Sequence, residues 1–165
     1  MKIRIAGTVN DSIVDGPGFR YTVFTQGCPH HCPGCHNPHT HDFEGGREVD
    51  TQDLLQQMAQ NKLLDGLTLS GGEPFAQAEA CAELARGAHA LGLNVWVYSG
   101  YTLEQLLENG DQASGWRALL ESCDALIDGP YIQAQRSLEL RFRGSKNQRL
   151  LDLKRSLEAG QPVEL

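Results

Sequence analysis

Residues 21–35 read Tyr21-Thr22-Val23-Phe24-Thr25-Gln26-Gly27-Cys28-Pro29-His30-His31-Cys32-Pro33-Gly34-Cys35. The first five are β-branched and aromatic, the composition of a strand. Gly27 interrupts the pattern, and three cysteines follow within eight residues. In α/β sheets functional groups collect at the carboxyl ends of parallel strands, and this stretch has that form. The pattern repeats downstream. Leu67–Ser70 precedes Gly71-Gly72-Glu73-Pro74, Asn94–Tyr98 precedes Ser99-Gly100-Tyr101, and Ala125–Asp128 precedes Gly129-Pro130-Tyr131. Upstream, a short strand over Lys2–Ile5 leads toward the turn Asp15-Gly16-Pro17-Gly18.

Helix patterns alternate with these strands. One follows Asp50 and Thr51, carries Leu54, Leu55 and Met58, and is stopped by Gly66. Over Gln77–Leu91, Ala78, Cys81, Ala82, Ala85 and Ala88 recur at helical spacing, a face small enough to lie close to a sheet. Gly92 ends that helix. Thr102 and Gln105 form a capping box for Leu103–Glu108, and Trp116–Ser122 reads as a further helix. The chain after Leu150 fits a strand and a helix equally well. The alternation predicts an α/β fold with a mostly parallel sheet. A closed eight-stranded barrel takes about 250 residues, so 165 residues with four good strands predict an open, partial βα barrel. No linker, repeat or low-complexity segment divides the chain, and a single domain over residues 1–165 is expected.

The loop chemistry narrows the function. Cys28, Cys32 and Cys35 are spaced C-x3-C-x2-C, among prolines, Gly34 and the histidines His30, His31, His36, His39 and His41. Three buried apolar cysteines rarely share such a loop. Zinc with mixed Cys/His ligation is one reading. An iron–sulfur cluster is the other, and it ranks first: a cubane has four irons, so three cysteines leave one open to an outside ligand. Cys81 and Cys123 stand alone and read as small core residues. Five cysteines, an odd number, do not make a disulfide framework. With no apolar run near the roughly 18 residues of a membrane span and no leader-like start, the expectation is a cytoplasmic protein with reduced thiols.

The formal net charge is −7, which argues against a generic nucleic-acid binder. The charge is uneven. Residues 1–135 carry 7 basic and 17 acidic side chains, whereas residues 136–165 carry 7 basic and 4 acidic ones. The basic segment 136–155, with Arg136, Arg141, Arg143, Lys146, Arg149, Lys154 and Arg155, is either a solvated face or a docking surface.

The cysteine loop after a first strand, followed one strand later by Ser70-Gly71-Gly72-Glu73-Pro74, resembles the radical S-adenosylmethionine (SAM) enzymes. Asp15-Gly16-Pro17-Gly18 with Arg20, and Phe24-Thr25-Gln26-Gly27-Cys28, are similar to the opening of glycyl-radical-enzyme activases. Trp96–Tyr101, Leu126–Gly129 and Arg143-Gly144-Ser145-Lys146-Asn147-Gln148 narrow the resemblance to the activators of anaerobic ribonucleoside-triphosphate reductase. The resemblance implies a [4Fe–4S] cluster on Cys28, Cys32 and Cys35, with SAM chelating the open iron. It implies that Gly34, Cys35 and His36 line SAM and that Gly71, Gly72 and Glu73 hold its methionyl ammonium. His36 stands where many relatives have an aromatic residue. Asn37 would brace the loop, while Asp128 would face the site or cap a turn. The implied reaction is reductive cleavage of SAM. The resulting 5′-deoxyadenosyl radical then makes a glycyl radical on the large subunit of the reductase, with a flavodoxin or ferredoxin as electron donor. Two rival readings are a small-molecule radical SAM enzyme of the deazaguanine-forming kind and a zinc-binding Cys/His interaction module.

Overall fold

The computed structural model describes residues 1–110 and 115–165. Seven strands form one sheet: β1 (Lys2–Ser12), β2 (Arg20–Thr25), β3 (Arg47–Asp50), β4 (Gly66–Gly71), β5 (Asn94–Tyr98), β6 (Ala125–Asp128) and β7 (Arg149–Asp152). Five α-helices among the described residues accompany them: α1 (Thr51–Gln60), α2 (Ala78–Ala90), α3 (Leu103–Asn109), α4 (Trp116–Ser122) and α5 (Leu153–Ala159). The sheet order is β3-β1-β2-β4-β5-β6-β7. The centre, β2-β4-β5-β6, is parallel throughout. β1 and β7 pair antiparallel at its flanks, and β3 pairs antiparallel with β1. Five of the seven strands therefore point the same way, the mostly parallel sheet that the alternation predicts. Among the described residues the edge strands β3 and β7 do not pair with each other.

The expected central strands and the helices α2, α3 and α4 form within one residue of their predicted limits, whereas α1 ends at Gln60, ahead of Gly66, which opens β4 instead of stopping the helix. Thr102 and Gln105 make the reciprocal capping box at α3. The ambiguity after Leu150 resolves into both elements in succession, β7 and then α5, with the Asp152 carboxylate capping the helix at the Arg155 amide. Two features were not predicted. β1 runs to Ser12 rather than Ile5, because its second half continues the antiparallel pairing with β2 through two register shifts. β3 is a four-residue edge strand, Arg47-Glu48-Val49-Asp50, too short and polar to read as one.

The two faces of the sheet differ. Val23, Leu67, Leu69, Val95, Val97 and Leu126 point to one face, where all five helices bury side chains in a single cluster. α2 presents Ala78, Cys81, Ala82, Ala85 and Ala88 there, as its small residues predict. The alternating positions face the other way, with Trp96, Ala125 and Ile127 in a second cluster against Phe142 and Leu150. No described helix covers this face. Its buried residues include Thr22, Thr68 and Arg20, and loops lie over it instead. Arg20 is fully buried. It donates from Nε to Thr68 Oγ1 at 2.7 Å and from its two terminal nitrogens to the carbonyls of Pro17 and Leu67 at 2.9 Å. It also lies over the Trp96 ring. Burial pulls its pKa down to about 10, so it remains a cation at neutral pH. These bonds anchor the Asp15–Gly18 turn to the sheet.

Cys81 and Cys123 sit in the helix-side core, as expected. Burial pushes both thiols up, which suppresses the reactive thiolate. In native protein kept free of iron, iodoacetamide is expected to label Cys32 and Cys35 at least about 100-fold faster than Cys81 and Cys123. Denaturant should abolish the difference. Peptide mass spectrometry reads it, and early labelling of Cys81 would contradict this packing. No helix among the described residues is long and apolar enough to cross a membrane.

Candidate functional site

Four loops leave the carboxyl ends of the parallel strands and meet over the helix-free face. They enclose a cavity of about 360 Å³, a volume suited to a small ligand. After β2 come Cys28, His30, Cys32, Cys35, His36 and Asn37; after β4, Gly71 and Gly72; after β5, Ser99 and Gly100; after β6, Gly129 and Tyr131. Asp15 and Val14 close one side and Phe142–Gly144 another. The four glycine-marked loops expected at one rim are thus brought together.

The cysteine loop is set by backbone bonds. Gly27 N–H donates to the Thr40 carbonyl at 2.6 Å and Cys28 N–H to that of His41 at 3.1 Å, which ties the two ends of the loop. Cys35 N–H donates to the Cys32 carbonyl at 3.1 Å, closing a turn through Gly34. Gly34 has φ +73°, so the turn needs it, and a Cβ there would strike the Gln133 side chain at 2.8 Å. Asn37 N–H donates to Cys35 Sγ at 3.4 Å, a direct brace on that sulfur. Cys28 is buried, while Cys32 and Cys35 are partly exposed, and no cysteine is in a disulfide. Burial raises the Cys28 thiol above its ordinary value. Among the described residues, no three His, Cys, Asp or Glu side chains converge tightly enough to hold a single metal ion. The three thiols instead line one cavity.

The glycine segment packs against this loop from β4. Gly72 N–H donates to the Thr25 carbonyl at 2.8 Å and Glu73 N–H to that of Gly27 at 2.9 Å. A Cβ on Gly71 would lie 2.5 Å from Thr25 N, and one on Gly72 would lie 2.4 Å from the Gly27 oxygen. Both positions therefore require glycine for close backbone approach, and both line the cavity.

Glu73 departs from expectation. It does not line the cavity, and its side chain has no exposed surface. Oε1 accepts from His30 Nε2 at 2.6 Å, Ser99 Oγ at 2.9 Å and Gly100 N–H at 2.8 Å; Oε2 accepts from Phe75 N–H at 3.0 Å. Three of these protein donors meet Oε1 and one meets Oε2, so the carboxylate is engaged by the protein itself. Glu73 is a brace joining three loops. Gly100 lets His30 reach it, because a Cβ there would lie 2.4 Å from the imidazole. The His30 ring also packs edge-on against Tyr101.

Other expectations divide similarly. Cys35 and His36 line the cavity, but Gly34 does not. The His36 ring lies 4.9 Å from that of Tyr131. Asp128 is a cap: Oδ2 accepts from Leu103 N–H at 2.7 Å, and Arg149 Nε donates to Oδ1 at 3.0 Å. Ser145, Asn147 and Gln148 fasten a turn to the loop after β6. Asn147 Nδ2 donates to the Pro130 carbonyl at 2.7 Å and Gln148 Nε2 to that of Gly129 at 3.1 Å. Gln148 Oε1 accepts from Gly144 N–H at 2.8 Å, and Ser145 Oγ donates to Asn147 Oδ1 at 2.6 Å. Sequence reasoning missed Phe142, which only the fold brings to the cavity, and it gave no individual role to Ser99, Tyr131 or His41, although they lie in the expected rim loops and beside the cysteines. Burial, with His31 and His39 nearby, holds His41 below its ordinary value.

Residues 14–151 match a family model described as a 4Fe-4S single cluster domain. The chain is thus of an iron–sulfur class, consistent with three cysteines on one cavity wall. Curated relatives are more particular. The anaerobic ribonucleoside-triphosphate reductase-activating protein of Haemophilus influenzae is 36% identical over 146 residues, covering 82% of this chain and 89% of its own. That of Vibrio cholerae matches equally well, and that of Enterobacteria phage T4 is 31% identical over 83% of this chain and 86% of its own. The chain belongs to the family of anaerobic ribonucleoside-triphosphate reductase-activating proteins. A crystal structure of QueE from Escherichia coli aligns over 62% of this chain and 54% of its own, with 17% identity and a TM-score of 0.49, a likeness that carries no argument.

Proposed function

We propose that this chain activates anaerobic ribonucleoside-triphosphate reductase by radical SAM chemistry. One observation carries the reading: three cysteines of one loop and the Gly71-Gly72 backbone line the same cavity at the carboxyl rim of the parallel strands. The donor set fits a cluster, with three thiols on one wall and a backbone amide already donating to one sulfur. When bound, a [4Fe–4S] cluster would supply one electron to SAM, breaking its S–C5′ bond to release methionine and a 5′-deoxyadenosyl radical, which would take a hydrogen atom from a glycine of the reductase and leave as 5′-deoxyadenosine.

The residues divide the work as follows. Cys28, Cys32 and Cys35 hold the cluster. Gly71 and Gly72 offer backbone at close approach to the methionyl end, and His36 with Tyr131 forms a face for the adenine. Glu73 holds His30 and the Ser99-Gly100 loop in place around them. Residues 1–165 act as one domain, and the open sheet is a partial barrel whose unpaired side admits a loop of a large partner. The protein works in the cytoplasm with a flavodoxin or ferredoxin as donor.

The test is anaerobic reconstitution with iron and sulfide. About four irons per chain, an electron paramagnetic resonance signal that shifts with SAM, and a glycyl radical on added reductase are expected. A colourless protein holding zinc would refute the reading.

The docking face is smaller than the basic segment suggests. Arg149 is bound to Asp128 and Glu104, and Arg143 lines the cavity, so neither is a free surface charge. Arg136, Arg141 and Lys146 are exposed. Reversing Arg141 and Lys146 to glutamate is expected to weaken reductase binding about tenfold at low salt, with the gap closing as salt rises. An affinity unchanged across the salt series would remove these residues from the interface.

A further inference from the structure

Arg143 is the only arginine or lysine among the described residues lining the cavity. Its Nη1 donates to the Gln148 carbonyl at 3.2 Å. Its Nε is buried and has no hydrogen-bond partner. Among the described residues no carboxylate forms an ion pair with it, in contrast to Arg149 six residues later. Asp15 lines the same cavity, but its carboxylate accepts from Ser12 and Thr22. A cation in a partly desolvated wall with an unsatisfied donor is unfavourable unless something else supplies the acceptor.

The local backbone places Arg143 there at a cost. Phe142 has φ +64°, a left-handed conformation that a bulky side chain rarely adopts. It is held by Tyr98, whose hydroxyl donates to the Phe142 carbonyl at 2.7 Å, and by edge-on packing of its ring on Trp96. Gln148 then pins the following turn through the Gly144 and Ser145 amides. Strain of this kind persists where the surroundings enforce it, and it collects at binding sites.

We propose that Arg143 takes the carboxylate of the bound small molecule. The inference rests on the SAM reading, under which the partner is the methionyl carboxylate, the only anionic group of that ligand. A guanidinium edge suits a carboxylate because two N–H groups in one plane meet two oxygens. Arg143 is then a binding residue of the cavity rather than part of the docking face.

Calorimetric titration of the iron-reconstituted protein without reductant tests this. The ligands are SAM and 5′-methylthioadenosine, which keeps the adenosine and the sulfur but lacks the sulfonium charge and the whole aminocarboxypropyl arm, carboxylate included. Arg143→Ala is expected to weaken SAM about 10- to 100-fold and the nucleoside less than about threefold. Arg143→Lys keeps the charge but not the planar fork and should also weaken SAM more than the nucleoside, which guards against an alanine variant that folds poorly. Equal losses for both ligands in both variants, or no loss of SAM in either, would overturn the proposal. If the parent binds neither ligand, the SAM reading fails with it. If the parent binds both and Arg143→Ala loses both equally, only the arginine assignment fails.

Discussion

Alanine at Cys32 is expected to empty the protein of its iron. After anaerobic reconstitution the parent should carry about four irons per chain, and Cys28→Ala, Cys32→Ala and Cys35→Ala each fewer than about one. Three cysteines already leave one iron without a protein thiolate, so the loss of another leaves too few bonds to hold a cubane. The effect should be equal at all three positions, because each supplies one of the three thiolates of the loop. Cys81→Ala and Cys123→Ala should keep their iron, since both thiols lie in the helix-side core away from the cavity. Iron content and the visible absorption band read the result directly. Full iron in Cys32→Ala would exclude that cysteine as a ligand.

Glu73→Ala is expected to destabilise the iron-free protein by about 3–5 kcal/mol, because it strands several buried donors at once. The His30 ring, the Ser99 hydroxyl and the amides of Phe75 and Gly100 all lose their acceptor. For a chain of this size that corresponds to a fall in melting temperature of roughly 6–20 °C. Glu73→Gln keeps the shape and one acceptor oxygen and should lose less. The opposite pattern, an unchanged melting temperature with SAM binding abolished, would show that Glu73 touches the ligand rather than braces the loops. Thermal melting of the iron-free chain separates the two without any assay of turnover.

Much of this was legible in the residues. Strands β2, β4, β5 and β6 announce themselves by β-branched and aromatic runs ending in glycine, and α2 by alanines at helical spacing. The cysteine spacing and the Gly-Gly-Glu-Pro segment point to one site before any fold is known. The flanking strands were harder. β3 is four polar residues, and its pairing with β1 spans more than forty residues of chain, so no local signal marks it. The reading of Glu73 shows a different limit. A carboxylate after two glycines looks free to meet a ligand, yet three loops from β2, β4 and β5 close on it.

Local composition and spacing determined the central strands, the helices that follow them and which residue types gather at the strands' carboxyl ends, because propensity, capping and turn chemistry act over a few residues. Only the tertiary structure decided which face of the sheet the helices leave open, that Glu73 is held by protein donors from three loops, that Asp128 and Arg149 neutralise each other, and that Arg143 lines the cavity with its buried Nε unpaired. Those are questions of which donors meet which acceptors after the chain has returned on itself. Hydrogen bonds and charges are settled by proximity in space, across separations in sequence that no local pattern records.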